Sequence, residues 1–310
     1  MREWLIMLMP YFGRWPEWMN MFIESCKWNP DVRWRFFTDC GEPENKAANV
    51  DYVHLSFEDY KALVRNHLQI EFDPSDPYKL CDLKPSYGDI HAQEIEGYRF
   101  FGYGDIDLIY GKISDFYPAE LRERSNVLSI RQDIFAGHFA ILRNTHALHR
   151  AYRRIPGYRQ ALEHPHYFEL DERAFYRVFR PPEAEDTVLR HILSRFDTCR
   201  RGGVFIYRHT TVLSPKGWSD GTMNFPQRWF WKRGHLTNDR DGEREFLCFH
   251  FMRWKTDRYR RDPPVQGEGA WVGLKNVVQA DWRDLATEGF CISPAGFTPL
   301  PPSLSRHEPG

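Results

Sequence analysis

The chain is short of cysteine, of long apolar runs and of net charge, and each shortage removes a class of protein. Its six cysteines, Cys26, Cys40, Cys81, Cys199, Cys248 and Cys291, are scattered with no Cys-x-x-Cys pair. This argues against a structural zinc site and a disulfide framework, and suits a reducing, cytoplasmic compartment. The apolar run at 4–9 is too short to cross a bilayer and meets Pro10 and Gly13 at once, so it reads as a buried first strand. With 42 Lys+Arg against 43 Asp+Glu the formal net charge is -1, which supplies no general attraction to nucleic acid or to an acidic membrane. The local cluster Arg258, Arg260 and Arg261 reads first as a solvated face; it leaves peripheral contact with lipid head groups open. Internal repeats and a Gly-x-x-x-x-Gly-Lys-[Ser/Thr] phosphate loop are both missing. Aromatic residues are plentiful instead, with Trp 11, Tyr 15 and Phe 23, enough for a large core and for stacking on ring-shaped ligands.

The order of elements predicts an α/β fold. Strands are expected over 4–9, 32–37 and 50–55, with helices over 16–26 and 57–67 between and after them. Such alternation implies a sheet whose ligands bind beyond the carboxyl ends of the strands, and Asp39 sits at one of these ends. Pro85 predicts the start of a helix reaching about 95, leaving Lys79 and Asp82 on its approach. Further strands are expected at 127–130 and 138–142, and helices at 145–155 and 189–196. From 204 the pattern turns to strands at 204–207, 227–232, 245–252 and 290–293, with a hairpin from 229 to 252. Proline and serine from Thr298 onward predict a loosely ordered tail.

The segment Gly102-Tyr-Gly-Asp-Ile-Asp-Leu-Ile-Tyr-Gly111 carries the chemistry. In a strand, Asp105 and Asp107 point the same way while Ile106 and Leu108 face packing. Paired carboxylates of this kind suit a hard divalent cation, Mg²⁺ or Mn²⁺, that takes its other oxygens from water and a bound diphosphate. The competing reading is a polar turn whose acids cap a helix or pair with arginines. In Phe246-Leu-Cys-Phe-His-Phe-Met252, alternation puts His250 on one face with Phe246, Cys248 and Met252, as a third ligand or as a core histidine. Lys255 is a candidate charge for the diphosphate, or an ordinary surface lysine.

Pro10-Tyr-Phe-Gly13, Ser25-Cys26 with Asn29-Pro30, Phe36-Phe-Thr-Asp39, Tyr78-Lys-Leu-Cys-Asp-Leu-Lys-Pro85, the acidic segment, Gly137-His-Phe-Ala-Ile-Leu-Arg-Asn144 and His250-Phe251 follow in order. The series resembles a poorly characterised bacterial family grouped with the metal-dependent glycosyltransferases of the A-type fold, of the kind associated with surface-polysaccharide synthesis. The similarity covers about residues 4–255, with 290–297 as its closing strand.

The resemblance implies a Rossmann-like mixed sheet flanked by helices, with a C-terminal β-hairpin region. It implies one catalytic domain over 1–297, a nucleotide-binding half about 1–112 and an acceptor half about 113–297, before the tail at 298–310. Asp39 would contact the base or ribose, and Lys79 and Asp82 would lie beside the nucleotide. Asp105 and Asp107 would hold the cation, one reaching the ribose and the other the diphosphate, and His250 would close the metal site. Arg253-Trp254-Lys255 departs from the pattern, where a glutamine and more lysines are expected. Asp171 and Glu172, after a loop with His164 and His166, are the candidate bases for an acceptor hydroxyl; a helix cap is the competing reading for Asp171. Gly137 and His138 would line the donor-sugar pocket, and Trp218, Trp229 and Trp231 would stack on sugars unless they are core.

The expected activity is transfer of a sugar from a nucleotide-diphosphate sugar to a carbohydrate or glycolipid acceptor. It would take place in the cytoplasm or against the inner face of the membrane, without nucleic acid. Two alternatives stand beside it: another metal-dependent nucleotide-diphosphate enzyme, such as a nucleotidyltransferase or hydrolase, and a non-catalytic relic that binds sugar nucleotides.

Overall fold

The computed structural model describes residues 4–180, 197, 199, 201–255 and 277–302, with Lys255 described by its backbone alone. Strand β1 (Leu5–Pro10) lies inside a seven-stranded mixed sheet. The other six strands are β2 (Val32–Thr38), β3 (Val50–His54), β4 (Phe100–Gly104), β6 (Val127–Ser129), β7 (Phe139–Arg143) and β8 (Gly203–Phe205), in the order β3-β2-β1-β4-β7-β6-β8. The first four run parallel, β7 is antiparallel to both β4 and β6, and β8 returns parallel to β6.

Period-two alternation sorts β1 between two packed layers. Leu5, Met7 and Met9 join Phe22, Ile23 and Cys26 of α1 (Met19–Lys27). Ile6 and Leu8 face the other way, toward Tyr60, Val64 and Leu68 of α2 (Phe57–Leu68). Both faces are therefore covered, which is why β1 reads as a continuous apolar run. Helix α2 starts with a reciprocal capping box between Ser56 and Asp59.

A second layer closes the far side. β9 (Trp229–Lys232) and β10 (His235–Asn238) form a hairpin through Arg233 and Gly234, both at positive φ (51° and 81°), as a tight two-residue connection requires. β12 (Phe290–Ser293) and β13 (Gly296–Pro299) extend it to a four-stranded sheet. β5 (Leu108–Tyr110) leaves the central sheet and pairs antiparallel with β11 (Cys248–His250). That pairing brings the acidic segment to the late histidine.

Several expectations are corrected. Asp105 and Asp107 lie in the turn between β4 and β5, not in one strand, because the chain changes sheet there. Pro85 lies within a 3-10 helix, Pro77–Ser86, whose i to i+3 winding sets Lys79 over Asp82; the following α3 (Tyr87–Ile90) is short. The segment 145–155 divides into a helix at His146–His149 and a 3-10 turn at Ala151–Arg154, where Asp89 takes the Tyr152 hydroxyl and Arg153. The hairpin from 229 ends at Asn238, and the strand expected over 245–252 contracts to β11 in a different sheet. Thr298 and Pro299 complete β13 and are not part of a loose tail. The helix expected at 189–196 lies outside the described residues.

Candidate metal centre

The turn after β4 is fixed at three successive residues. Asp105 N–H donates to His138 O (3.1 Å), Ile106 O accepts from Trp18 Nε1 (2.9 Å), and Asp107 O accepts from Phe251 N–H (3.1 Å). The carboxylates are thus held by backbone geometry before any ligand arrives. Asp107 is buried and Asp105 is half-exposed. Together with His250 they offer one ligand atom each, all within 4.8 Å of one another.

His250 is oriented from behind. Its Nδ1 meets Thr211 Oγ1 at 3.2 Å, and its ring stacks on that of His138 with centroids 4.2 Å apart and planes 13° from parallel. Its Nε2 lies 3.5 Å from Asp107 Oδ2, is buried and has no hydrogen-bond partner. A buried ring nitrogen aimed at two carboxylates fits a divalent cation. Burial, and then the neighbouring His250, push the His138 pKa well below its ordinary value, so it is a neutral stacking partner.

Lys84, which the sequence reading misses, ties this centre to a second acid. Its buried Nζ contacts Asp105 Oδ1 at 2.5 Å, donates to Gly137 O at 2.9 Å and lies 3.7 Å from Asp171 Oδ2. Burial disfavours its charge, but Asp105, Cys81 and Asp171 more than offset that, holding the ammonium well above its ordinary pKa. Leu83-Lys84-Pro85 is the available signal, because a lysine in apolar surroundings needs a carboxylate partner. Burial pushes the Asp171 carboxyl up to about 7 against the pull of Lys84. Glu172 is raised as well, by burial and then by Glu169. Gly137 sits against this pair, and a Cβ there would collide with Asp171 Oδ2.

Residues 7–272 match the family described as "Family of unknown function (DUF6625)". The chain belongs to that family. No curated protein matches it. Among solved structures, the DUF6625 chain is similar to "PaToxG Glycosyltransferase" at 16% identity, over 64% of this chain and 77% of that one, with a TM-score of 0.32. It is also similar to the galactosyltransferase LgtC, solved with donor and acceptor sugar analogues, at 10% identity over 87% and 100% of the two chains, with a TM-score of 0.38. At these values the likenesses carry no argument. The mixed sheet, covered on both faces, is the α/β architecture that the order of elements predicts. No helix among the described residues is long and apolar enough to cross a membrane.

Other expected site residues of this DUF6625 chain land variously. Asp39 is exposed just past β2 and accepts from Gly13 N–H (2.7 Å), joining the loops after β1 and β2. Lys79 and Asp82 differ from expectation. They form an interior ion pair of 2.8 Å with side chains 1% and 0% exposed, and their remaining polar atoms hold backbone groups of 161–170, leaving nothing to meet a nucleotide. Asp171 caps no helix; it lies in a π-helical turn, Leu170–Ala174, with Tyr167 Oη donating to its Oδ1 (3.1 Å). Trp218, Trp229 and Trp231 are core, Trp229 stacking on Phe249 at 4.2 Å, so they are not sugar platforms. The Lys255 side chain lies outside the described residues.

Proposed function

We propose that this protein is a metal-dependent glycosyltransferase that moves a sugar from a nucleotide-diphosphate sugar to a hydroxyl acceptor, in bacterial surface-polysaccharide or glycoconjugate synthesis. The observation that supports it most is the convergence of Asp105, Asp107 and the unpartnered His250 Nε2 on one point. The ordered motifs that resemble the glycosyltransferase family add to it.

Asp105, Asp107 and His250 would hold Mn²⁺ or Mg²⁺, which supplies Lewis-acid stabilisation of negative charge on a diphosphate leaving group. Lys84 occupies one oxygen of Asp105 and so fixes the direction of the other. Asp39, exposed beyond β2, would accept from a ribose or base, and Gly137 with His138 would border the donor sugar. Asp171, with a pKa of about 7, is suited to take the proton of an acceptor hydroxyl if the configuration inverts, and Glu172 is the second candidate. Lys255 is assigned to the diphosphate charge.

A thermal-shift panel of UDP, GDP, CDP and their sugars, with and without Mn²⁺, tests the reading. One nucleotide at about a hundred times its dissociation constant should add roughly 2.7 kcal/mol of stability, and only with the metal. Transfer to water or to a saccharide, followed as release of that nucleoside diphosphate, then separates this activity from nucleotidyl transfer, which releases pyrophosphate. A protein that no nucleotide stabilises in the presence of metal contradicts the proposal.

A further inference from the structure

Among the described residues only three large aromatic side chains are exposed: Trp28, Tyr78 and Phe168. Two of them meet in one place. Tyr78, 53% exposed, packs edge-on against Tyr167 with centroids 5.0 Å apart. Phe168, 50% exposed, lies over the Lys79 ammonium at 5.2 Å and against His164 at 5.1 Å. Exposed aromatic rings gathered within a polar rim mark a binding surface rather than core.

These rings are held in place. Lys79 Nζ donates to Ala161 O and His166 O, both at 2.6 Å, while Asp82 accepts from Phe168 N–H at 2.8 Å and Leu170 N–H at 2.9 Å. An interior ion pair thus fixes the loop that presents Tyr167 and Phe168, and it sits one residue from Tyr78. A pre-ordered aromatic surface loses little side-chain entropy when it binds. The patch is also joined to the proposed reaction centre, since Tyr167 Oη donates to Asp171, which neighbours Lys84, which holds Asp105.

We propose that Tyr78, Tyr167 and Phe168 form the acceptor subsite, taking the C–H face of a pyranose ring while Asp171 and Glu172 meet its hydroxyls. The assignment rests on the glycosyl-transfer reading for its role but on these residues for its chemistry. A pyranose offers an apolar face edged by hydroxyls, and here the aromatic loop leads into two acids, the Tyr167 hydroxyl donating to Asp171 and Glu172 following in the chain. The buried Lys79–Asp82 pair gains a function in this arrangement: it positions the acceptor loop and does not touch the nucleotide.

Saturation-transfer NMR on the full chain tests this with methyl β-galactoside, methyl α-glucoside, lactose and maltose, each without nucleotide. At least one is expected to show transfer to its ring protons. Tyr78→Ala and Phe168→Ala should each weaken that saccharide about tenfold, with melting temperatures near wild type because both side chains are exposed. No transfer from any probe, or transfer undiminished in the double variant, overturns the subsite. The nucleotide panel with Mn²⁺, run on the same samples, separates the two ideas. Nucleotide stabilisation without saccharide binding sinks the subsite alone. Saccharide binding that is lost in the variants, without nucleotide stabilisation, sustains the subsite and sinks the donor reading.

Discussion

At the scale of single residues, the centre depends on one lysine and one protonatable acid. Lys84 neutralises Asp105 and neighbours Asp171 in the interior, so Lys84→Met leaves two carboxylates without their cation. Breaking a fully buried pair from one side costs about 3–5 kcal/mol; with Asp105 a third exposed and Asp171 able to take a proton, the cost here should fall below that range. The loss should be largest in EDTA and partly reversed by Mn²⁺, measured as the urea midpoint under both conditions. Asp171 gives a pH signature. Its carboxyl ionises at 3.8 in an ordinary setting and at about 7 in the fold, so between these values the folded state holds the extra proton. Its contribution to stability is complete below 3.8 and is lost as pH rises through about 7. Asp171→Asn should flatten that slope in a pH series of melts. If Asp171 is the base, the rate rises through the same pH, and the variant loses this limb with roughly 10²–10⁴ of the rate. The acids were readable as candidate ligands from residue types and spacing; their pairing with the late histidine stood open against a core histidine there, and was favoured only by what the family resemblance implies. The role of Lys84 was not, because its partners come from three distant segments.

At the scale of elements, the pairing of β5 with β11 is what makes a site from two remote motifs. Gly111 N–H donates to Leu247 O (2.9 Å), and its Cα lies so close to Phe246 O that a Cβ cannot be placed. Asn29 holds the Gly111 carbonyl from the other side at 2.9 Å. Gly111→Ala should therefore cost about 1–3 kcal/mol by overpacking and lower metal affinity as well, since it displaces the strand that carries His250. Denaturation midpoints and a Mn²⁺ titration of the same variant check both effects. The elements themselves were largely legible: β1, β2, β3, α1 and α2 follow apolar periodicity closely. What hydropathy could not convey was the departure of β5 from the central sheet, which moves Asp105 and Asp107 into a turn. Nor could it distinguish a lysine and aspartate beside a ligand from the same pair in the interior at Lys79 and Asp82.

At the scale of the molecule, three apolar clusters share the work. One lies on each side of the central sheet, and the third, rich in tryptophan, joins the four-stranded sheet to β11. Trp218, Trp229 and Trp231 belong to that third cluster, which decides between the two readings their alternation allowed, core over sugar platform. The third cluster also places His250 opposite acids that arise much earlier in the chain, so the ligand set exists only in the complete fold. Metal binding and global folding are therefore linked. The most direct measurement is a calorimetric titration of Mn²⁺ into the wild-type chain and into Asp107→Asn and His250→Ala. The expected result is one site per chain, abolished in the first variant and weakened in the second by at least the roughly 10–100-fold that loss of an outer-shell partner alone costs. A wild-type chain that takes up no Mn²⁺, or variants that bind it as the wild type does, would contradict the assignment.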